Sequence, residues 1–219
     1  MPEIIKIDLD DETVFRTQMV KIKRILNLGG VMAFPTDTFY GLGATAFNRK
    51  AVSRIFKIKQ RPKDKPLLTL VASAYQVNSM ALEITPTAEI LIEKLWPGPL
   101  TILFSAHPHL PSQSTANTGK IGVRQPGNEM VRKLLSGIGF PITATSANIS
   151  GTENVTTARE VEETLGSQID LIVDGGAAPG GKESTVLDVT LSPSLLVREG
   201  AVTREEIDAI LDIPCIAVP

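Results

Sequence analysis

Apolar residues along this chain fall into two interleaved patterns, short strand-like runs and longer stretches with helical spacing. The strand-like runs are "EIIKI", "VMAFP", "PLLTLV", "LTILFSA", "KIGVRQP", "PITATSAN", "DLIVDGG", "STVLDVT" and "SLLVREG". Helical spacing predicts helices over 12–28, over "NRKAVSRIFKIKQ" with Asn48 as its cap, and over "TPTAEILIEKLWPG" with Pro86 in its first turn. Further helices are predicted over "NEMVRKLLSGIG", "TAREVEETLG" and "TREEIDAIL", the last two opened by capping boxes at Thr157–Glu160 and Thr203–Glu206. The two kinds of element do not alternate strictly, and several strands follow one another near the C-terminus. That predicts an α/β fold of the mixed α+β kind, a mixed sheet with helices packed on it. No repeat, linker or compositional break divides the sequence, so residues 1–219 are expected to form a single domain.

Composition narrows the chemistry. At 219 residues and 42% hydrophobic content the chain can bury a core without staples. Its one cysteine, Cys215, allows no intrachain disulfide and no cysteine metal site, which suits a cytoplasmic protein. The opening "MPEIIKIDLDDETVF" carries acidic residues and no long apolar run, unlike a signal peptide. No run approaches the ~20 apolar residues of a membrane span. Net charge is −2, so a basic function has to be local.

One segment is locally basic. "KIKQRPKDKP" places Lys57, Lys59, Arg61, Lys63 and Lys65 at every second position around Pro62. Such a run is either a solvated face or an anion site. The helix end and the proline predict an exposed turn there, where truncating Lys59 or Arg61 costs little stability. No P-loop is present. "GLGATA", Gly41–Ala46, fits the dinucleotide pattern formally, but the next helix opens near Asn48 instead of on the glycines. The two histidines, His107 and His109, share the proline-flanked "SAHPHLP" and read as surface loop. A zinc site or Ser-His-Asp triad is therefore disfavoured. What remains are hydroxyls, amides and cations at strand ends: "FPTDTFYGLG", "TSANISG", "GGKESTVLDV" and "LVREG". Each alone reads as a plain loop. Together they have the composition of an anion pocket.

Taken in order, these segments resemble the YrdC/TsaC family, the threonylcarbamoyl-AMP synthases. "FPTDTFYGLG" looks like the family's opening signature, Lys59 and Arg61 supply its K-x-R, and Ser146 and Asn148 its S-x-N. "PGPLTILF", "IGVRQP", "ESTVLDV" and "LVREGAV" follow in the expected order, and the resemblance covers roughly 15–210. It implies a twisted mixed sheet with surrounding helices and a concave basic cavity, in the family's single-domain form. It also implies a nucleotidyl transfer, in which L-threonine, bicarbonate or CO2, and ATP give threonylcarbamoyl-AMP and pyrophosphate. Partner proteins then move the threonylcarbamoyl group to tRNA, itself a further candidate partner.

By the same resemblance, ATP is expected at Lys59, Arg61, Ser146, Asn148, Asn154 and Arg198, the first four being catalytic. Threonine is expected at Thr36, Lys65, Arg124 and Ser184. Mg2+ would be carried with ATP, with no protein cage of its own. Many members carry His or Asn at the position of Lys65, so the lysine has two readings, threonine carboxylate or solvent. Two other classes share the basic site: a tRNA- or double-stranded-RNA-binding module, and a carbamoyltransferase with another acceptor. Aromatic content of 5%, without aromatic-basic interleaving, weighs against an RNA-stacking platform.

Overall fold

The structure is a computed structural model and describes residues 1–217. Its strands are β1 (Glu3–Lys6), β2 (Met32–Pro35), β3 (Tyr40–Gly43), β4 (Leu68–Leu70), β5 (Leu100–Ser105), β6 (Lys120–Arg124), β7 (Ile142–Ser146), β8 (Leu171–Asp174), β9 (Thr185–Asp188), β10 (Leu195–Arg198) and β11 (Ile216–Ala217). Its α-helices are α1 (Glu12–Asn27), α2 (Arg49–Ile58), α3 (Pro86–Leu95), α4 (Glu129–Ile138), α5 (Ala158–Leu165) and α6 (Arg204–Asp208). The strands form one open, twisted sheet in the order β1-β8-β2-β3-β7-β4-β6-β5-β9-β10-β11. Parallel pairs (β1·β8, β8·β2, β4·β6, β5·β9, β10·β11) mix with antiparallel ones, as expected from the irregular alternation of elements.

Helix boundaries follow their caps. The Asn48 carboxamide oxygen accepts from Lys50 N and Ala51 N, and both predicted capping boxes form. Several elements differ from expectation, among them β11 and a 3-10 turn at Gly166–Gln168, neither of them predicted. Helix α6 stops at Asp208, short of the predicted Leu211. A 3-10 turn covers Ala74–Ser79. Strand β3 occupies part of what reads as the "FPTDTFYGLG" loop and forms a hairpin with β2, pairing Phe34 with Gly41 and Met32 with Gly43. The glycines misled because they are turn formers in sequence, whereas here they permit close approach. A Cβ on Gly43 would lie 2.2 Å from the Thr143 carbonyl oxygen.

Strand alternation divides the core. In β2 and β8, Ala33 and Ile172 pack toward α2 and α5, while Met32, Phe34, Leu171 and Val173 pack toward α1 and α4. That half of the sheet is covered on both faces. Across β6, β5 and β9, Ile121, Val123, Ile102, Phe104 and Leu187 pack with α3 and α6. The alternate residues of those strands face open space, and the site lies there.

Candidate active site

Seven consecutive strands of the sheet order, β3 to β10, line a cavity of about 510 Å3. Its floor is one face of β6 and its neighbours: Lys120, Gly122 and Arg124, flanked by Leu68, Leu70, Thr101 and Leu103. Gly122 keeps that floor open, because a Cβ there would sit 3.1 Å from Leu103 Cδ2 and 3.3 Å from Thr101 Cγ2. Four cations line the cavity, Arg61, Lys120, Arg124 and Arg198, against one carboxylate, Glu183. The acidic chain is thus locally basic where seven strands converge.

The K-x-R pair sits at the end of α2. Lys59 caps the helix, and Gln60 follows in the left-handed region at φ 50°. Gln60 N donates to Lys57 O and Arg61 N to Phe56 O, the paired bonds of a Schellman ending with glutamine in the position glycine usually takes. This reversal sends the two cations in different directions. Lys59 turns inward and is 1% exposed, which corrects the expectation of an exposed turn. Its ammonium donates to Ser146 O (2.5 Å), Asn148 O (2.7 Å) and Asn148 Oδ1 (2.9 Å). Ser146 Oγ donates to Asn148 Oδ1 (2.6 Å), and Asn148 Nδ2 to Thr152 O (2.6 Å). Lys59 and the S-x-N pair therefore form one network, which Arg61 does not join. Ser146 and Arg61 line the cavity, and Lys59 and Asn148 stand behind the wall.

Arg61 reaches the cavity while binding its own turn, through Lys65 O (3.0 Å) and Pro66 O (2.8 Å). Among the described residues Lys59 and Arg61 contact only neutral oxygens, and no carboxylate touches either charge. Burial, with Arg61's charge adding, pushes the Lys59 ammonium down to about 8. Arg61 is lowered by burial, with Asp64 opposing.

The opposite wall is built differently. Arg124 is buried beside Asp37 (3.0 Å), whose carboxylate also accepts from Asn128 N (2.8 Å) and Gly127 N (3.3 Å). Arg124 Nε is buried without a partner. Burial lowers its pKa despite Asp37. Arg198 pairs with Glu183 through Nη1 and donates through Nη2 to Ser184 O (2.8 Å). Ser184 Oγ shares a hydrogen bond with Thr101 Oγ1 (2.9 Å). Lys120 holds Asp188 at 2.6 Å. Burial opposes the charge of Asp188, yet bonds from Lys120 and Thr190 keep its pKa below the usual range.

Of the expected site residues, Thr36, Arg61, Arg124, Ser146, Ser184 and Arg198 line one cavity. Four do not: Lys59 and Asn148 stand behind the wall, and Lys65 and Asn154 lie outside it. Lys65 is exposed and offers only its carbonyl, to Arg61, because the turn after Pro62 carries its side chain outward. Asn154 is exposed, beyond the β7 exit. His107 and His109 lie outside the cavity, their rings 4.0 Å apart. Residues missed in sequence are Asp37, Thr101, Lys120, Gly122 and Glu183. The every-second-residue pattern of "KIGVR" was the available signal for Lys120 and Gly122.

A family model for the Sua5, YciO and YrdC proteins, described as "Telomere recombination", matches residues 24–200. The chain is 43% identical over 183 residues to a threonylcarbamoyl-AMP synthase of Pyrococcus abyssi, covering 84% of this chain and 54% of that one. It is 36% identical over 207 residues to a threonylcarbamoyl-AMP synthase of Bacillus subtilis, covering 94% and 60%. The crystal structure of P. abyssi Sua5 complexed with L-threonine matches at TM-score 0.89 and 36% identity, over 100% of this chain and 63% of that one. The chain thus spans little more than half the length of these relatives.

Proposed function

The chain belongs to the Sua5/YciO/YrdC family, and from that premise we propose that it is an L-threonylcarbamoyladenylate synthase, a nucleotidyltransferase. The observation that carries this reading is the cavity itself: Arg61 on one wall with Lys59 behind it, both held by neutral oxygens, facing a buried arginine whose Nε has no partner among the described residues. A guanidinium with free donors suits a carboxylate, and uncompensated charge suits a triphosphate. A relative's structure with L-threonine and relatives named threonylcarbamoyl-AMP synthases support the same assignment.

In this mechanism Arg124 holds the threonine carboxylate, with Thr36 and Ser184 as hydroxyl partners. The threonine amine combines with CO2 or bicarbonate to give a carbamate. A carbamate oxygen attacks the α-phosphorus of ATP, the bond from that phosphorus to the bridging oxygen breaks, and pyrophosphate leaves with the electron pair. Arg61 and Arg198 contact the phosphates, and Ser146 hydrogen-bonds the nucleotide. Lys59 acts through Ser146 and Asn148 as a positioning residue and adds its charge to the field at the reacting phosphate. No strong base is needed, since holding the labile carbamate beside ATP supplies most of the effect.

Mg2+ enters with ATP, held by phosphates and water. Among the described residues no group of three His, Cys, Asp or Glu side chains could hold a metal ion. Among the same residues no helix is long and apolar enough to cross a membrane. The wider setting of the proposal is the cytoplasm, with tRNA-modifying transfer proteins as consumers of the adenylate. The deciding test is pyrophosphate release from ATP. Release should require threonine and bicarbonate together, with serine roughly 10–200-fold poorer because one methyl group discriminates no better. Equal turnover with alanine, serine and threonine would remove the threonine assignment.

A further inference from the structure

Every cation on the Arg124 side of the cavity has a carboxylate of its own: Asp37 for Arg124, Asp188 for Lys120 and Glu183 for Arg198. The three pairs are not equivalent. Asp37 is fixed by two backbone amides besides Arg124. Asp188 is almost wholly buried and also bonds the Thr190 hydroxyl (2.6 Å) and amide (2.9 Å). Glu183 has neither kind of anchor. Its side chain is 54% exposed, that of Arg198 is 45% exposed, and among the described residues Arg198 is the only partner of its carboxylate. Its backbone, in contrast, is fixed, since Glu183 O accepts from Ala201 N (2.9 Å). A side chain on a fixed hinge can therefore let go of Arg198 without moving Ser184, the residue that leads into β9.

We propose that Glu183 is an exchangeable internal counterion, which occupies Arg198 in the empty cavity and is displaced by a phosphate group of the nucleotide or of pyrophosphate. The proposal rests on the synthase reading for the identity of the nucleotide and on the ion-pair geometry for the exchange. An exposed ion pair contributes little, so phosphate can displace it at small cost, whereas displacing Asp37 or Asp188 would strand buried groups. The carboxylate neutralises the arginine between turnovers and competes for it during product departure. Glu183 thus sets how tightly phosphates are held at this end of the cavity.

The test is titration calorimetry of inorganic pyrophosphate, ATP and threonine against wild type, Glu183→Gln and Glu199→Gln. Glu199 is an exposed neighbour outside the cavity and controls for net charge. Glu183→Gln should tighten pyrophosphate and ATP roughly 2–5-fold, the span of an exposed ion pair, leave threonine affinity unchanged, and lower the ATP KM without raising kcat. Glu199→Gln should change none of these. Unchanged or weaker phosphate binding in Glu183→Gln overturns the proposal, as does equal tightening in Glu199→Gln. Wild type that binds both anions yet releases no pyrophosphate with threonine and bicarbonate removes the synthase reading, and the titration still decides the counterion exchange.

Discussion

The two walls of the cavity both carry cations but hold them by opposite means. On the α2 side, Lys59 and Arg61 rest on carbonyl, amide and hydroxyl oxygens, which satisfy hydrogen bonds without cancelling charge. On the β6 and β10 side, Lys120, Arg124 and Arg198 each sit against a carboxylate. One wall therefore projects net charge into the cavity, and the other offers shaped donors at nearly balanced charge. In the proposed reaction the phosphates meet both walls, at Arg61 on the first and Arg198 on the second, while Arg124 on the second orients the amino acid.

The harshest way to break this contrast is Lys59→Ala. Removing the ammonium takes the donor from the Ser146 and Asn148 carbonyls, leaves the Asn148 carboxamide oxygen only its bond from Ser146 Oγ, and opens a buried void, so destabilisation of about 2–5 kcal/mol is expected alongside loss of activity. Denaturant unfolding measures it. A variant as stable as wild type but inactive would make Lys59 a direct phosphate ligand held loosely in the free protein. Next is Arg124→Lys, which keeps a charge beside Asp37 but loses the planar fork. The threonine KM should rise about 10-fold or more with a smaller change for ATP, and Arg198→Lys should show the reverse at smaller amplitude. Parallel shifts in both constants would mean that Arg124 and Arg198 do not divide the substrates.

A gentler probe is pH. The folded Lys59 titrates near 8 against an ordinary 10.5, so its uncompensated charge fades above pH 8. Activity should fall there with a single proton loss. Stability should move the other way. Between these two values the unfolded chain holds a proton that the folded chain has released, so this residue makes the fold more stable as pH rises. Below pH 8 the buried charge carries its full penalty. Cys215, raised by burial to about 11, and Tyr40, raised chiefly by burial to about 12, pull in the opposite sense above about pH 9. The clean measurement is therefore the difference between wild type and Lys59→Met across pH 7–10, and no difference in slope would place the ammonium's titration elsewhere. The smallest effect belongs to Lys63→Ala. Lys63 is exposed in the same cation run, and stability should change by less than about 0.5 kcal/mol, with activity intact. A loss of activity as large as that of Lys59→Ala would return the run to a general charged surface of the kind an RNA-binding module uses.

The same contrast explains what could be read from sequence. Period-two runs and capped helical periods gave most strands and helices, because one buried face leaves a direct mark on residue order. The β3 strand stayed hidden because Gly41 and Gly43 serve packing against Phe34 and Thr143 while looking like turn formers. Within "KIKQRP" the sequence marked an anion site but not its geometry. Nothing local says that Gln60 takes a positive φ and turns Lys59 into the protein while Lys63 and Lys65 stay in solvent. The carboxylate partners were out of reach for a further reason. Asp37 meets Arg124, and Asp188 meets Lys120, only after the sheet brings distant segments together, and no spacing rule encodes that.

Strand β6 carries two scripts on five residues: Ile121 and Val123 are written toward the oily side, Lys120, Gly122 and Arg124 toward the ligand. Substitution can edit either script alone. Losing or gaining one residue within the strand cannot, since every side chain beyond that point changes sides. Loss of Ile121, for example, would drive Arg124 into the packing around α3 and α6 and turn Val123 onto the cavity floor. Among relatives of this chain, length in "KIGVR" should therefore be frozen more tightly than residue identity, and a one-residue deletion there should abolish folding and ligand binding together.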